Sequence, residues 1–576
     1  MGLCSDRSVF RFGDSRVRSL WPQCLFVLLF PLVVCAAAET QSGPGRAAVA
    51  SAHQLATEAG LKIMADGGNA FDAAVAVAST LAVVEPQSSG IGGGFFMLIR
   101  RASDGREVMI DARETAPAAV NEAMYVDEDG KPNRDASING PTSSGIPGEP
   151  AGLAWVAEHY GKLPLKASLA PAIAHARNGY QPDARFLREL DRRSEVIARY
   201  PASAAILLPG GKVPQAGWTF KQPELASTLE RIAADGADSF YKGAIAQQLV
   251  KAVRGAGGNW VAEDLASYQV KEREPIVVNY GDWRVVSAPP PSSGGVAIGE
   301  MFNILSGYDL DKVDAAQRYH YIIEAMRRAF RDRNEYLGDP DFVEMPLRQL
   351  LSPDYAAGLR ASIRADKATP SDMLPSVLRR DPGMHTTHFS IIDAEGNLVA
   401  CTSTVNLAFG SGFIAEGTGV LLNNEMDDFA LVAGAPNAYG LIGSDANAVA
   451  PGKRMLSSMS PSFVMGPERV AVLGSPGGST IITQVFEGML AFIDGKSAAE
   501  ITAQPRYHEQ HMPDLVFMEP GAFGDEATEK ALEARGHTLQ PRGPWGFMNV
   551  VTWDLKSGEL EAASDPRGDS GLGKVE

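Results

Sequence analysis

An almost uninterrupted apolar segment, A70-F-D-A-A-V-A-V-A-S-T-L-A-V-V, follows Asn69. Asparagine is a favoured N-cap residue, so Asn69 predicts the start of a helix. A helix that is apolar nearly all round is buried between layers of a fold. The preceding segment predicts an amphipathic helix, with an apolar face (Leu55, Ala59, Ile63), a capping box (S51-A-H-Q54) and an end at Gly67-Gly68.

Apolar segments of strand length occur in pairs around short polar turns. F95-F-M-L-I-R and E107-V-M-I-D flank Asp104-Gly105, and S390-I-I-D and L398-V-A-C-T-S-T flank Glu395-Gly396-Asn397. Both pairs predict β-hairpins. Two further strands are predicted, each leading through a Pro/Gly/Ser loop into a helix: W283-R-V-V-S and V470-A-V-L-G-S. Hairpins combined with long buried helices indicate an α+β fold in which helical layers cover the sheets.

The first residues have the composition of a secretory signal. Basic residues up to Arg18 precede the apolar run L25-F-V-L-L-F-P-L-V-V-C, which ends at A36-A-A-E. This pattern predicts a signal peptide over residues 1–38, cleaved after Ala38. A membrane anchor is the alternative, but the run is short for a bilayer and Pro31 interrupts it. A lipoprotein signal at Cys35 is disfavoured because Val34 is larger than the residue usual before such a cysteine.

Composition excludes several classes of protein. The chain has 576 residues, a formal net charge of -17 and 45% hydrophobic residues, with a pI of about 5.1. An acidic chain of this kind lacks the clustered basic surface that nucleic acids require, so we expect no nucleic-acid partner. Cleavage after Ala38 would leave Cys401 as the one cysteine, and therefore no internal disulfide.

Three short motifs have features of binding sites. G90-I-G-G-G precedes a predicted strand, whereas a phosphate loop follows a strand and opens a helix, so a tight turn is the better interpretation. His508 and His511 lack a third ligand, and we expect a surface pair rather than a metal site. S475-P-G-G-S-T does follow a strand and precede a helix, which fits either an oxyanion-binding pair of amides or a simple turn.

Several separated segments, in the same order along the chain, resemble the γ-glutamyltranspeptidase family, also called γ-glutamyltransferases. The resemblance runs from about residue 45 to residue 567. The segments that carry it are G67-G-N-A-F-D-A-A-V-A, G92-G-G, D111-A-R-E-T-A-P-A, T386-T-H-F-S, T402-S-T-V-N, N423-N-E-M-D-D-F, L456-S-S-M-S-P, G474-S-P-G-G-S and A563-S-D-P-R.

The resemblance implies an N-terminal-nucleophile hydrolase fold, a four-layer αββα sandwich built jointly by two subunits of one precursor. The precursor would cut itself between His385 and Thr386, giving a large subunit over residues 39–385 and a small subunit over residues 386–576. Thr386 would then be an amino-terminal nucleophile. Its own α-amine, with a reference pKa near 7.7 to 8.0, would serve as the base.

The resemblance also assigns roles to other residues of the site. Arg113 would clamp the substrate α-carboxylate through its planar guanidinium, assisted by Ser457 and Ser458. The remaining assignments are the α-ammonium binders Asn406, Glu425 and Asp428, the nucleophile's hydrogen-bond partner Thr404, the oxyanion pair Gly477 and Gly478, and a lid tyrosine, Tyr439.

The implied activity is that of an exported γ-glutamyltransferase and glutathione hydrolase in the periplasm or medium. Its partners would be glutathione and other γ-glutamyl compounds, with water, amino acids or dipeptides as acceptors, and it would need no cofactor and no metal. A cephalosporin acylase of the same fold is one alternative, disfavoured by the retained Asn406, Glu425 and Asp428. An uncleaved binding protein is the other, disfavoured by Thr386 and the Gly477-Gly478 pair.

Overall fold

The structure is a computed structural model that describes residues 43–374, 385–431, 437–438 and 444–576. The predicted signal peptide and Tyr439 lie outside the described residues. The strands are β1 Ala48–Ser51, β2 Gly94–Arg100, β3 Glu107–Ala112, β4 Lys271–Arg273, β5 Ile276–Tyr280, β6 Trp283–Ser287, β7 Thr387–Ile392, β8 Leu398–Thr404, β9 Ile414–Ala415, β10 Val420–Leu421, β11 Ser462–Met465, β12 Arg469–Gly474, β13 Tyr507–His508, β14 Val516–Met518, β15 Leu539–Pro541, β16 Asn549–Asp554, β17 Leu560–Ser564 and β18 Leu572–Val575.

The α-helices vary from single turns to the long α13. They are α1 Gln54–Ala65, α2 Ala70–Val84, α3 Arg134–Ile138, α4 Glu149–His159, α5 Leu165–Asn178, α6 Ala184–Ala198, α7 Pro201–Leu207, α8 Pro223–Asp235, α9 Asp238–Tyr241, α10 Ala244–Gly255, α11 Ala262–Ala266, α12 Gly294–Leu305, α13 Ala315–Tyr336, α14 Leu347–Leu350, α15 Pro353–Ala361, α16 Ile481–Ile493, α17 Ala498–Ala503 and α18 Glu526–Ala534. None of the helices within the described residues is long and apolar enough to span a bilayer.

Two large sheets form the centre of the fold. The first has the order β18-β1-β7-β8-β2-β3-β4 and the second β17-β16-β12-β11-β6-β5. In β2, Phe95 and Met97 pack with the helices that include α2, whereas Phe96 and Leu98 pack toward the second sheet. This alternation is expected of a strand whose two faces are both buried. Helices α12, α13 and α16 cover the far side of the second sheet, so the predicted αββα arrangement is confirmed.

The two predicted hairpins are confirmed, and together they form the middle of the first sheet. β2 pairs with β3, β7 pairs with β8, and β8 also pairs with β2. Strand β7 lies next to β1 as well, so strands from before and after residue 385 are interleaved in one sheet. The segments that the resemblance assigns to two subunits therefore share this sheet.

One of the two predicted helix caps is confirmed and the other is wrong. Asn69 caps α2 and forms a capping box with Asp72, and every residue of α2 is buried. Helix α1 begins instead at Gln54, with His53 as its N-cap, so the prediction of a capping box at Ser51 is wrong. Ser51 is the last residue of β1 and pairs with Phe389, so sheet pairing occupies the position that the local motif predicted as a cap.

Candidate active site

The ends of three strands of the first sheet bring the predicted nucleophile and the predicted clamp to one edge of that sheet. Thr386 immediately precedes β7, Thr404 is the last residue of β8 and Arg113 follows the last residue of β3. The register places Thr404 opposite Gly94 at the start of β2. Antiparallel pairing therefore collects residues that are almost 300 positions apart, as in the step from Arg113 to Thr386.

One cavity at this edge, the site cavity, contains most of the predicted residues. The empty space within it, including the part that is open to solvent, is about 300 Å³. Gly477 and His385 are adjacent to the lining, and Tyr439 lies outside the described residues. The lining residues are Arg113, Arg333, Thr386, Thr404, Asn406, Glu425, Asp428, Leu456, Ser457, Ser458, Met459, Gly478 and Ile481.

The Thr386 hydroxyl is placed against the peptide bond that precedes it. Its oxygen lies 2.7 Å from the carbonyl oxygen of His385 and 3.2 Å from Thr404 Oγ1. Thr404 Oγ1 accepts a hydrogen bond from the backbone N–H of Asn406 at 2.8 Å. Its proton is therefore available to the His385 carbonyl oxygen, 3.4 Å away, or to Thr386. The arrangement joins a nucleophile, a carbonyl group and a hydroxyl donor.

The nearby histidines are neutral, and the ring of His388 is hydrogen-bonded to residues other than Thr386. Burial, with the charges of Arg185, Arg192 and Arg193, holds the pKa of His385 well below its usual value. Burial lowers the pKa of His388 to about 3. The His388 ring bonds to Thr402 at 2.8 Å and Ser390 at 3.1 Å. In the described part of the chain, no histidine ring is bonded to the Thr386 hydroxyl.

The loop after β12 presents two glycines to the site. Gly477 and Gly478 have φ angles of 139° and 58°, a region that glycine adopts without the clash that a side chain would cause. A Cβ on Gly477 would lie 2.6 Å from the side chain of Gln484. The loop is thus a tight turn, as one of the two interpretations predicted, and it leads through the 3-10 turn Gly478–Thr480 into α16.

Gln484, which the sequence analysis missed, fixes the shape of this loop. Its Oε1 accepts a hydrogen bond from the Ser475 hydroxyl at 2.8 Å. Its Nε2 donates to the Pro476 carbonyl at 3.1 Å and to Thr480 Oγ1 at 2.8 Å. Thr480 in turn donates to the carbonyl oxygen of Gly477 at 2.8 Å. One buried amide therefore connects both ends of the glycine turn.

Arg113 lies at the other end of the cavity, surrounded by carboxylates. Its side chain is 1% exposed, and it is 2.7 Å from Glu425, 2.6 Å from Asp428 and 3.6 Å from Glu114. Burial opposes the charge of Arg113, but the three carboxylates outweigh it and raise its pKa. Burial also raises the pKa of Glu425, against the attraction of Arg113. The predicted carboxylate clamp and two of the predicted ammonium binders are thus paired with one another.

Asn423 and the glycines of the G90-I-G-G-G segment hold this end together. The Asn423 side chain donates to the carbonyls of Gly92 and Gly145 and accepts from the N–H groups of Gly145 and Glu425, all within 3.0 Å. A Cβ on Gly92 would lie 2.0 Å from the Leu421 carbonyl oxygen, and one on Gly93 equally close to that of Thr404. The segment is the predicted tight turn, and close backbone approach explains its glycines.

Arg333, also missed by the sequence analysis, is the second guanidinium of the cavity. It is 4% exposed and lies on α13. Buried residues recur along this helix at Ile322, Met326 and Ala329. Arg333 continues that series at helical spacing, so its position on an apolar stripe was the signal that could have identified it.

The histidine pair is not at the surface. His508 and His511 are both buried, which contradicts the predicted surface pair. The His508 ring bonds to Thr483 at 2.9 Å and to Gln510 at 2.8 Å. Thr483 belongs to another element of the fold, and Gln510 lies two positions after His508. The spacing of the two histidines in the sequence does not reveal these partners.

Within the described residues, one cluster has the composition of a metal site: His320, Glu324 and His537. The two histidine rings bond to each other at 2.7 Å, and His320 also bonds to the carbonyl of Arg364. Glu324 bonds to Arg328 at 2.7 Å. The three side chains therefore bond to one another or to other protein groups, and His537 Nδ1 is the ring nitrogen of the cluster that has no hydrogen-bond partner within the described residues.

Comparison with known proteins places these features in a family. The sequence profile of the family described as Gamma-glutamyltranspeptidase matches residues 56–575. The chain is 43% identical over 525 residues to a protein named glutathione hydrolase proenzyme from Escherichia coli (strain K12), covering 90% of each chain. The chain belongs to the γ-glutamyltranspeptidase family.

Solved structures related to this γ-glutamyltranspeptidase family member agree in fold. A cephalosporin acylase from Bacillus halodurans superposes with a TM-score of 0.79 at 30% identity, covering 92% of this chain and 95% of that chain. The γ-glutamyltranspeptidase of Helicobacter pylori is 38% identical, with a TM-score of 0.55 over 56% of this chain and 93% of its own. The N-terminal-nucleophile hydrolase fold is therefore confirmed.

Proposed function

We propose that this protein is a γ-glutamyltransferase and glutathione hydrolase that matures by cutting itself between His385 and Thr386. One observation carries the proposal: a single small cavity has the Thr386 hydroxyl at one end and Arg113 with two carboxylates at the other. A γ-glutamyl group has complementary chemistry, since it carries a reactive carbonyl at one end and a carboxylate and an ammonium at the other.

Maturation begins at the contact between the Thr386 hydroxyl and the preceding peptide. The hydroxyl oxygen attacks the carbonyl carbon of His385, and Thr404 donates to the developing oxyanion. The hydroxyl proton passes to the leaving nitrogen as the C–N bond breaks, which leaves an ester and a free α-amine. Water then hydrolyses the ester. The products are a carboxylate on His385, which ends a large subunit of residues 39–385, and a small subunit of residues 386–576 that starts with the Thr386 amine.

Catalysis uses the same hydroxyl a second time. The α-amine of Thr386 takes the hydroxyl proton, the oxygen attacks the γ-carbonyl of glutathione, and the N–H groups of Gly477 and Gly478 stabilise the oxyanion. Cysteinylglycine leaves with the proton on its amine, and a γ-glutamyl ester remains on Thr386. Water or the amine of an amino acid or dipeptide then attacks the ester and frees the hydroxyl.

Substrate binding exchanges ion pairs. The α-carboxylate of the γ-glutamyl group replaces Glu425 and Asp428 as the partner of Arg113, with Ser457 and Ser458 as further donors. The α-ammonium then pairs with the released carboxylates and with the Asn406 side chain. A zwitterion suits such a site because it supplies one charge of each sign, so that no buried charge is left alone. Tyr439 is proposed to close over the bound group.

The second candidate is an acylase that takes a glutaryl group. The similarity to a cephalosporin acylase with a TM-score of 0.79 favours it. A glutaryl group lacks the α-ammonium, however, and would leave Glu425 and Asp428 without a cation once its carboxylate had taken Arg113. The transferase is therefore the better fit.

The test compares three assays on the purified protein. We expect release of a chromophoric amine from a γ-glutamyl anilide, faster release when glycylglycine is added as acceptor, and much slower release from the matching glutaryl anilide. Faster turnover of the glutaryl compound would establish the acylase instead. Absence of turnover with both anilides would refute the family activity for this chain.

Export by a cleaved signal peptide is part of the proposal. The basic and apolar segments end at A36-A-A, so the mature protein is expected to begin at Glu39 in the periplasm or the medium. Amino-terminal sequencing of the exported protein tests this. A protein that still begins at Met1 in the membrane fraction would contradict it.

A further inference from the structure

Arg333 differs from the other charged groups of the site cavity in its partners. Its Nε donates to Ser293 Oγ at 3.2 Å, its Nη1 to Asn334 Oδ1 at 3.1 Å and its Nη2 to Ser458 Oγ at 3.4 Å. All three acceptors are neutral. In the described part of the chain, no carboxylate oxygen lies within 4.0 Å of its guanidinium. A buried cation with only neutral partners has capacity left for an anion.

The neighbouring serines are arranged as donors toward the same space. Ser458 Oγ accepts from Arg333, and Ser457 Oγ accepts from the backbone N–H of Met459 at 3.1 Å. A hydroxyl has one proton to donate, and within the described residues neither serine hydroxyl has an acceptor for it. Both residues line the site cavity. Their protons are thus available to an oxyanion bound there.

The same arginine fixes the backbone that carries these serines. Ser293 Oγ accepts from Arg333 and donates to the carbonyl oxygen of Ser457 at 2.7 Å. The Ser293 N–H donates to that oxygen as well, at 2.8 Å. Arg333 is therefore connected to Ser458 directly and to Ser457 through Ser293. Burial lowers its pKa to about 10, which leaves the guanidinium charged at neutral pH.

We propose that Arg333 is a second cation for the substrate α-carboxylate. It acts as a positioning residue, because it orients the hydroxyls of Ser457 and Ser458 toward that carboxylate. The inference rests on the proposed function and extends it. Arg113 approaches the carboxylate already surrounded by acidic side chains, which weaken its net positive potential. Within the residues that the structure describes, no carboxylate contacts Arg333, so its positive charge is not neutralised there. Arg333 therefore sets how strongly the enzyme prefers a substrate with an α-carboxylate.

The test measures that preference rather than activity alone. Each enzyme is assayed for kcat/KM with a γ-glutamyl anilide and with the same anilide whose α-carboxylate is converted to a carboxamide. The ratio of the two values is the carboxylate preference. Because a charge-assisted hydrogen bond is lost, Arg333→Gln is expected to lower the ratio about tenfold or more, chiefly through KM of the carboxylate substrate. A purely structural defect would slow both substrates alike and leave the ratio unchanged.

Arg328→Gln is the matched control. Arg328 is an equally buried arginine on the same helix, bonded to Glu324 at 2.7 Å and outside the site cavity. Its replacement is expected to lower stability and to leave the ratio at the wild-type value. Equal ratios for Arg333→Gln and wild type would overturn the inference.

Two further variants keep the inference testable if Arg333→Gln does not fold. Arg333→Lys retains the charge and is expected to lower the ratio less than Ser458→Ala, which removes one positioned donor. A wild-type ratio in Ser458→Ala would contradict the inference. If the wild type itself hydrolyses neither anilide, the failure lies in the proposed function and not in the role of Arg333.

Discussion

The two ends of the site cavity differ in charge. The end around Thr386 is built from hydroxyls, glycine amides and neutral histidines, with Thr404 and Gly478 as its other lining residues. The end around Arg113 has an arginine and three acidic side chains within 4 Å of it. The proposed chemistry therefore depends on the placement of neutral dipoles, whereas the proposed recognition by Arg113 depends on a charge that is already compensated before a ligand arrives.

A physical reason underlies the difference. An isolated buried charge is costly, so a buried ionised group is stabilised by a partner of opposite charge, as Arg113 is. At the Arg113 end the partners are protein side chains that a zwitterion can replace. At the Thr386 end a permanent charge would have no such partner, and the base is instead proposed to be an amine that forms only after the chain is cut.

The largest effect is expected at the nucleophile. Thr386→Ala removes the hydroxyl needed for both proposed steps, so the protein should remain one uncut chain without γ-glutamyl activity. Thr386→Ser keeps a hydroxyl beside the same amine and should still cut itself, with some turnover. Gel electrophoresis and mass measurement distinguish the two variants. Cleavage of the alanine variant before residue 386 would show that another group performs the cut.

At the recognition end, Arg113→Lys should raise KM about tenfold or more, because a point charge replaces a bidentate guanidinium and a charge-assisted bond contributes about 1.5 to 3 kcal/mol. Self-cleavage should persist, since no substrate carboxylate takes part in it. Steady-state kinetics with the γ-glutamyl anilide measure the first effect and gel analysis the second. Unchanged kinetics would mean that Arg113 does not bind the carboxylate.

A smaller effect is expected from the support of the glycine turn. Gln484→Ala removes the amide that holds Ser475, Pro476 and Thr480, so the N–H groups of the turn should be less well placed for an oxyanion. We expect kcat to fall about tenfold, less than the loss of a whole oxyanion donor, with KM little changed. Gln222→Ala is the control, because Gln222 is also buried but bonds to the carbonyl of Val83 outside the site cavity. A change confined to KM would contradict this role.

The smallest effect concerns Glu149, a buried carboxylate that does not line the site cavity. It accepts a hydrogen bond from Ser403 at 2.7 Å, and burial together with the charge of Glu114 raises its pKa well above 4.5. Above pH 4.5 the Glu149 carboxyl keeps its proton in the folded protein but loses it in the unfolded chain. The free energy of unfolding therefore falls as the pH rises above 4.5, by at most about 1.4 kcal/mol per pH unit.

Glu149→Gln should remove this decline, because an amide does not ionise. Denaturant unfolding at several pH values measures it, and the variant should gain stability relative to wild type as the pH rises above 4.5. Glu158→Gln, an exposed position on the same helix, is the control and should leave the pH profile as it is. A profile of Glu149→Gln that parallels wild type would show that Glu149 is already ionised in the folded protein.

Local patterns in the sequence determined much of the fold. Asn69 and the apolar run after it specified a buried helix, and the apolar segments around Asp104-Gly105 and Glu395-Gly396 specified two hairpins. These features depend on residues a few positions apart, so the chain carries them without reference to the rest of the molecule. The composition of the site cavity was largely predictable as well, because the family segments supplied its residues.

The pairing of those residues was decided by tertiary structure alone. Nothing in the sequence indicates that Arg113 is held by Glu425 and Asp428, since the partners are more than 300 positions apart. Tertiary structure also decided the role of Ser51, which pairs with Phe389 in the first sheet instead of capping a helix. It likewise decided the burial of His508. Arg333 is the sharpest case, because a helix places it but only the packing of α13 against the Ser457–Ser458 segment makes it part of a binding site. Long-range contacts and desolvation set the charge and orientation of a buried group, and both arise only when the layers come together.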